Sequence, residues 1–116
     1  MAIATLETRI AAQALSALGQ PGRLGALQVL AAAGPAGVPF PQLAVALGMT
    51  HSNLSRQLRV LESEGLVVRR QDEAKVVYAA RVDGLTALQA ILADVGRALA
   101  VSPQRSQPSR KELAKQ

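Results

Sequence analysis

Between Thr50 and Leu61 the chain reads THSNLSRQLRVL, with Leu54, Leu58 and Leu61 spaced four and three apart. At about 100° per residue those leucines share one face of a helix. The opposite face then carries Ser52, Arg56 and Arg59, flanked by Asn53 and Ser55, with His51 in the first turn. These are the groups that a nucleic-acid duplex calls for. Ser, Asn and Gln side chains hydrogen-bond base edges or phosphates, and an Arg can bind guanine through two bonds. Free N–H groups at the start of such a helix favour a phosphate. The spacing predicts that Ser52, Asn53 and Arg56 approach base edges, while His51, Ser55 and Arg59 lie nearer the backbone. Gln57 sits on the flank with no assigned role. A polar face of this kind is also what any solvated surface helix shows, so its neighbours in the chain matter.

Those neighbours can be read from apolar spacing and helix punctuation. Ile3, Leu6, Ile10, Ala14 and Leu18 form the stripe of a first helix ended at Gly19. Pro21 suits the first turn of a second helix, whose stripe is Leu24, Leu27, Leu30 and Ala31. Gly34, Pro35, Gly37 and Pro39 predict a loop. A short third helix, near residues 41–47, buries Leu43 and Leu47 and stops at Gly48. Thr50 caps the fourth helix, and Gly65 ends it. The Val-rich segments 66–71 and 75–81, joined by Asp72-Glu73-Ala74, predict a hairpin. A fifth helix starts near Gly84, with Leu85, Leu88, Leu92, Val95 and Leu99 on one side. The expected fold is therefore mainly α (α+β): five helices with a two-stranded β-hairpin wing between the fourth and fifth. The tight turn at Gly48-Met49-Thr50 gives the third and fourth helices the spacing of a helix-turn-helix, so the whole is a winged helix-turn-helix.

Charge is distributed unevenly. The 116 residues carry a net +5. Residues 1–49 contribute +1, residues 50–81 +2, residues 82–100 −1 and residues 101–116 +3. The excess lies in the segment expected to read DNA and in a Ser-, Gln-, Pro- and Lys/Arg-rich tail. We expect residues 1–100 to form one DNA-binding and dimerisation domain and 101–116 a basic, flexible tail that adds phosphate contacts. Arg69, Arg70 and Lys75 flank the hairpin tip and are expected to meet phosphates, although Asp72 and Glu73 at the tip itself repel them.

Three stretches together resemble the ArsR/SmtB family of winged helix-turn-helix repressors. Gln20-Pro21-Gly22-Arg23-Leu24 is similar to the family's opening of its second helix. Residues 43–66, LAVALGMTHSNLSRQLRVLESEGL, are similar to its reading motif, and residues 67–79 to its wing. The resemblance implies a homodimer that joins first and last helices and represses transcription until an inducer binds. The residues agree, because the apolar stripes of the first and fifth helices exceed what so small a core can cover. The expected dimer interface is Leu6, Ile10, Leu88, Leu92, Val95 and Leu99. A symmetric pair would set two reading helices about one DNA turn apart, roughly 34–36 Å, on an inverted-repeat operator in double-stranded DNA.

The chain departs from the family where metals are sensed. It has no Cys and a single His, which excludes thiolate ligation, disulfide switching and a multi-histidine site within one chain. Asp83 resembles one zinc-site position of relatives, but Gly84, Leu85, Gly96 and Leu99 occupy the neighbourhood of the others. Glu7, Asp83 and Asp94 could build an oxygen-only site across a dimer, although carboxylates near helix ends usually cap or face solvent. We therefore expect no metal and no cofactor, and an inducer whose identity the sequence does not give. With one His, no Cys and no Gly-rich loop after a strand, no enzyme is expected. No membrane-length apolar run and no leader pattern occur, so the expectation is a cytoplasmic protein with no membrane partner. Two other possibilities stay open: a winged-helix protein-interaction module, and charge-driven, non-specific DNA binding.

Overall fold

The structure, a computed structural model, describes residues 5–81 and 83–101. Among these, helix α1 spans Leu6–Leu18, α2 Pro21–Ala33, α3 Phe40–Leu47, α4 His51–Ser63 and α5 Thr86–Val101. Strand β1 is Val38–Pro39, β2 Val67–Asp72 and β3 Lys75–Ala80, with short 3-10 turns at Gly34–Ala36 and Asp83–Leu85. Side-chain oxygens start three of the helices. Thr5 accepts from the Thr8 amide, Gln20 from that of Arg23 and Thr50 from that of Asn53. Gly48 closes α3 in the left-handed region at φ 63°, and its amide and that of Met49 return to the Val45 and Ala44 carbonyls. The turn into α4 is thus short and hydrogen-bonded, which sets the angle at which α4 is presented.

The sheet has three strands, in the order β1-β3-β2, all antiparallel. The hairpin is as expected, except that Asp72 pairs with Lys75 and leaves only Glu73-Ala74 as its loop. The third strand was expected to be loop. Val38 pairs with Tyr78 and Pro39 with Val77. Two residues, one a proline, are too short for alternation to register. Gly37 makes the pairing feasible: its φ is 73°, and a Cβ there would lie 2.4 Å from the Tyr78 carbonyl oxygen.

The core gathers Leu30 of α2, Leu43 of α3, Leu54, Leu58 and Leu61 of α4 and Leu66 before β2, all fully buried. The apolar face predicted for α4 is therefore the buried one. The stripe of α1 divides between core and surface, and the stripe predicted for α2 needs correction. Helix α1 buries Ala11, Ala14 and Ala17 and turns Leu6 and Ile10 outward; Ile3 lies outside the described residues. Helix α2 buries Ala26, Leu27 and Leu30, whereas Leu24 and Ala31 are exposed. Small alanines let α1 approach its neighbours closely, so the larger side chains fall on the far side. Among the described residues no helix is long and apolar enough to cross a membrane.

Candidate nucleic-acid interface

Helix α4 is bound to the body through its three buried leucines and shows His51, Ser52, Ser55, Arg56 and Arg59 to solvent. Its polar surface divides into two flanks. On the wing side, His51, Ser55 and Arg59 line a groove of about 800 Å³. Arg69 and Lys75 of the wing, together with Phe40 and Tyr78, complete its wall. The structure thus brings the three α4 residues expected near a DNA backbone together with two of the three wing cations. Phe40 supports His51 edge-on, with ring centroids 5.0 Å apart, and sits 6.2 Å from the ring of Tyr78. Burial raises the Tyr78 phenol above its ordinary value of 10.0, and the Glu62 carboxylate adds to that, against smaller opposing effects of Arg69 and Arg59.

The third wing cation behaves differently. Arg70 donates to the carbonyls of Pro35 and Ala36 at 2.7 and 2.8 Å. It ties the wing to the turn after α2 rather than projecting beside Arg69, as expected from the sequence. Strand alternation puts successive side chains on opposite faces of the hairpin, which sends Arg69 to the groove and Arg70 to the turn.

On the other flank of α4, a chain of hydrogen bonds enters from α2. The Arg23 guanidinium donates to the Ala17 carbonyl at the end of α1 and, at 3.1 Å, to Gln57 Oε1. Gln57 Nε2 in turn donates to Asn53 Oδ1 at 3.1 Å, and Arg56 donates to the same oxygen at 3.3 Å. Sequence reasoning left Gln57 without a role and missed Arg23 here, because the two are 34 positions apart. It also missed Glu62, which places a carboxylate in the groove. The one available signal for Arg23 was its place in the Gln20–Leu24 stretch.

Of the residues expected at a dimer interface, Leu6, Ile10, Leu92, Val95 and Leu99 are exposed, with Leu6 at 73% and Leu99 at 66%. Leu88 corrects the expectation: only 7% exposed, it is packed in the chain's own core. The candidate oxygen ligands are dispersed. Asp83 pairs with Arg81 at 2.5 Å and Asp94 with Arg97. Among the described residues no three His, Asp or Glu side chains gather as metal ligands would.

The short turn before an amphipathic α4, its outward polar face and the hairpin beside it define a winged helix-turn-helix domain. Residues 20–75 match the MarR family, a match that takes in α2 to the hairpin loop and leaves out α1 and α5. The HTH-type transcriptional regulator NmtR of Mycobacterium tuberculosis is 43% identical over 79 residues, which are 66% of this chain and 63% of that protein. The chain thus spans less than two thirds of that relative's length. A crystal structure of a possible transcriptional regulator for arsenical resistance superimposes with a TM-score of 0.61 at 26% identity. It covers 79% of this chain and 98% of its own. The homodimeric winged helix-turn-helix DNA-binding domain of a possible ArsR-family regulator from Mycobacterium bovis has the same fold, with a TM-score of 0.60 at 22% identity, over 91% of this chain and all of its own. The fold is thus that of a winged helix-turn-helix domain, and the sequence is similar to regulators of the MarR and ArsR types.

Proposed function

We propose that the protein is a sequence-specific, dimeric transcriptional repressor that reads an inverted-repeat operator with α4 and steadies it with the wing. The observation that carries this is the two-sided character of α4: three leucines fully buried, and Ser52, Arg56 and Arg59 outward on the same two turns. Ser52, Asn53 and Arg56 address base edges, and Gln57 holds Asn53 in place. His51, Ser55, Arg59, Arg69 and Lys75 address phosphates across the groove. A partner-binding helix would carry apolar anchors on that face instead.

Dimerisation follows from α1 and α5, which pack on each other and leave Leu6, Ile10, Leu92, Val95 and Leu99 open to water. A second copy laid on this face covers it and places two α4 helices on one side of a duplex, roughly 34–36 Å apart. Residues 1–100 then form the working domain. The basic tail, of which residues 102–116 lie outside the described residues, strengthens binding to all sequences alike. Release, where it occurs, uses neither thiolate–metal nor disulfide chemistry, since the chain has no Cys.

The test is a footprint of the full chain on DNA upstream of its own coding region, with excess competitor DNA. A symmetric protected site, lost in Arg56→Ala and weakened in Ser52→Ala, is the expected result. Binding that the competitor abolishes would instead mean charge-driven association, and no protection at all would remove DNA from the function.

A further inference from the structure

Arginine can donate hydrogen bonds but never accept them, whereas a side-chain amide does both through different atoms. That asymmetry orients two amides on α4. The Arg23 guanidinium reaches Gln57, so Gln57 must turn its oxygen toward α2. Its Nε2 then points to Asn53, which must answer with Oδ1. Arg56 donates to that same Oδ1 from the solvent side. Both lone pairs of the Asn53 oxygen are thereby engaged. Its Nδ2 makes no hydrogen bond among the described residues, and the rest of the Arg56 guanidinium is open to solvent.

We infer that Arg23, acting through Gln57, sets the hydrogen-bond polarity of Asn53, so that Asn53 and Arg56 together present donors only and select a guanine in each half-site. This rests on α4 entering a major groove, as proposed above. In that groove guanine shows two acceptors, N7 and O6, on one edge. The usual pairing of Asn with adenine needs the amide oxygen to accept from the adenine N6 group, and here that oxygen is already occupied. Arg23 and Gln57 are positioning residues; Asn53 and Arg56 are the ones that determine specificity.

The experiment enriches bound duplexes from a randomised pool with the full-length chain and with two variants, and reads the base ratio at each position. Asn53→Asp keeps both accepted hydrogen bonds and suits the start of a helix, so the fold is retained, but an oxygen replaces the outward donor. Gln57→Glu still accepts from Arg23 but no longer donates to Asn53, which turns its Nδ2 inward and exposes its oxygen. Both variants add negative charge and weaken binding to every sequence, so the ratio between bases is the readout rather than affinity. The wild type is expected to enrich guanine at one position of each half-site. Asn53→Asp is expected to lower that guanine preference about tenfold, in favour of cytosine, whose N4 group donates. Gln57→Glu should shift the same position toward adenine. Guanine retained in both variants would overturn the inference and leave the DNA-binding role standing. An adenine enriched by the wild type at the position sensitive to Asn53 would overturn it equally. A wild type that enriches no sequence would overturn the DNA-binding role itself, and the inference with it.

Discussion

The Arg23 guanidinium donates to Gln57 Oε1 at 3.1 Å and joins the first turn of α2 to the middle of α4. The same guanidinium also reaches the Ala17 carbonyl at the end of α1. One half-buried cation therefore fastens three helices, and the helix it fastens last carries the polar outward face. The angle of α4 relative to α1 is set by leucine packing on one side and by this cation on the other. Because α1 also carries Leu6 and Ile10 of the open apolar face, the Arg23 contacts tie an element of that face to α4.

Replacing Arg23 with Ala is expected to lower unfolding stability by about 2 kcal/mol, since it leaves a carbonyl and an amide oxygen without their charged donor. Arg23→Lys should recover little of this, because a single ammonium cannot serve both acceptors with the geometry of a guanidinium fork. Denaturant unfolding followed by circular dichroism checks both. A lysine variant as stable as the wild type would show that charge alone suffices at this position.

Gly37 and Gly48 both have positive φ, at 73° and 63°, yet they should respond differently to alanine. At Gly48 a Cβ meets nothing within 4 Å, so the cost is that of the left-handed backbone, about 1 kcal/mol. At Gly37 the Cβ would also collide with the Tyr78 carbonyl and a Val77 methyl. Gly37→Ala should therefore be clearly the more destabilising, and should separate β1 from β3. Amide hydrogen exchange of Val38, Tyr78 and their neighbours, alongside thermal midpoints for both variants, distinguishes the two cases.

Tyr78 predicts an alkaline limit to stability. Its folded-state pKa is raised, chiefly by burial, so the protonated phenol is the form that the fold favours. The contribution is complete below the ordinary value of 10.0 and is lost as pH rises from there through the raised folded value. Above pH 10 the thermal midpoint should fall more steeply in the wild type than in Tyr78→Phe. The other ionisable groups are the same in both proteins, so the difference isolates the phenol. Parallel curves would remove Tyr78 from the pH dependence.

The open face of α1 and α5 predicts a concentration-dependent assembly. Leu92→Glu, on the exposed side of α5, should convert a dimer to a monomer in sedimentation experiments and weaken operator binding, while Leu24→Glu, exposed on α2, should leave assembly unchanged. A wild type that is monomeric at every concentration would exclude the paired arrangement of α4 helices.

Much of this protein follows from one-dimensional pattern. The spacing of Leu54, Leu58 and Leu61 selects the buried side of α4, and hence its outward residues, because a helix has only one periodicity to satisfy. Thr50, Gly48 and Pro21 mark helix boundaries through backbone chemistry that acts over a few residues. The hairpin is legible for the same reason. What tertiary structure alone decided involves partners far apart in the chain. Strand β1 exists only because Gly37 lets two residues lie against β3. Arg70 is diverted to the carbonyls of Pro35 and Ala36, Leu88 turns into its own core, and Arg23 reaches Gln57. Each depends on which surfaces meet once the helices have packed, a matter of distance and direction in space that spacing along the chain does not encode.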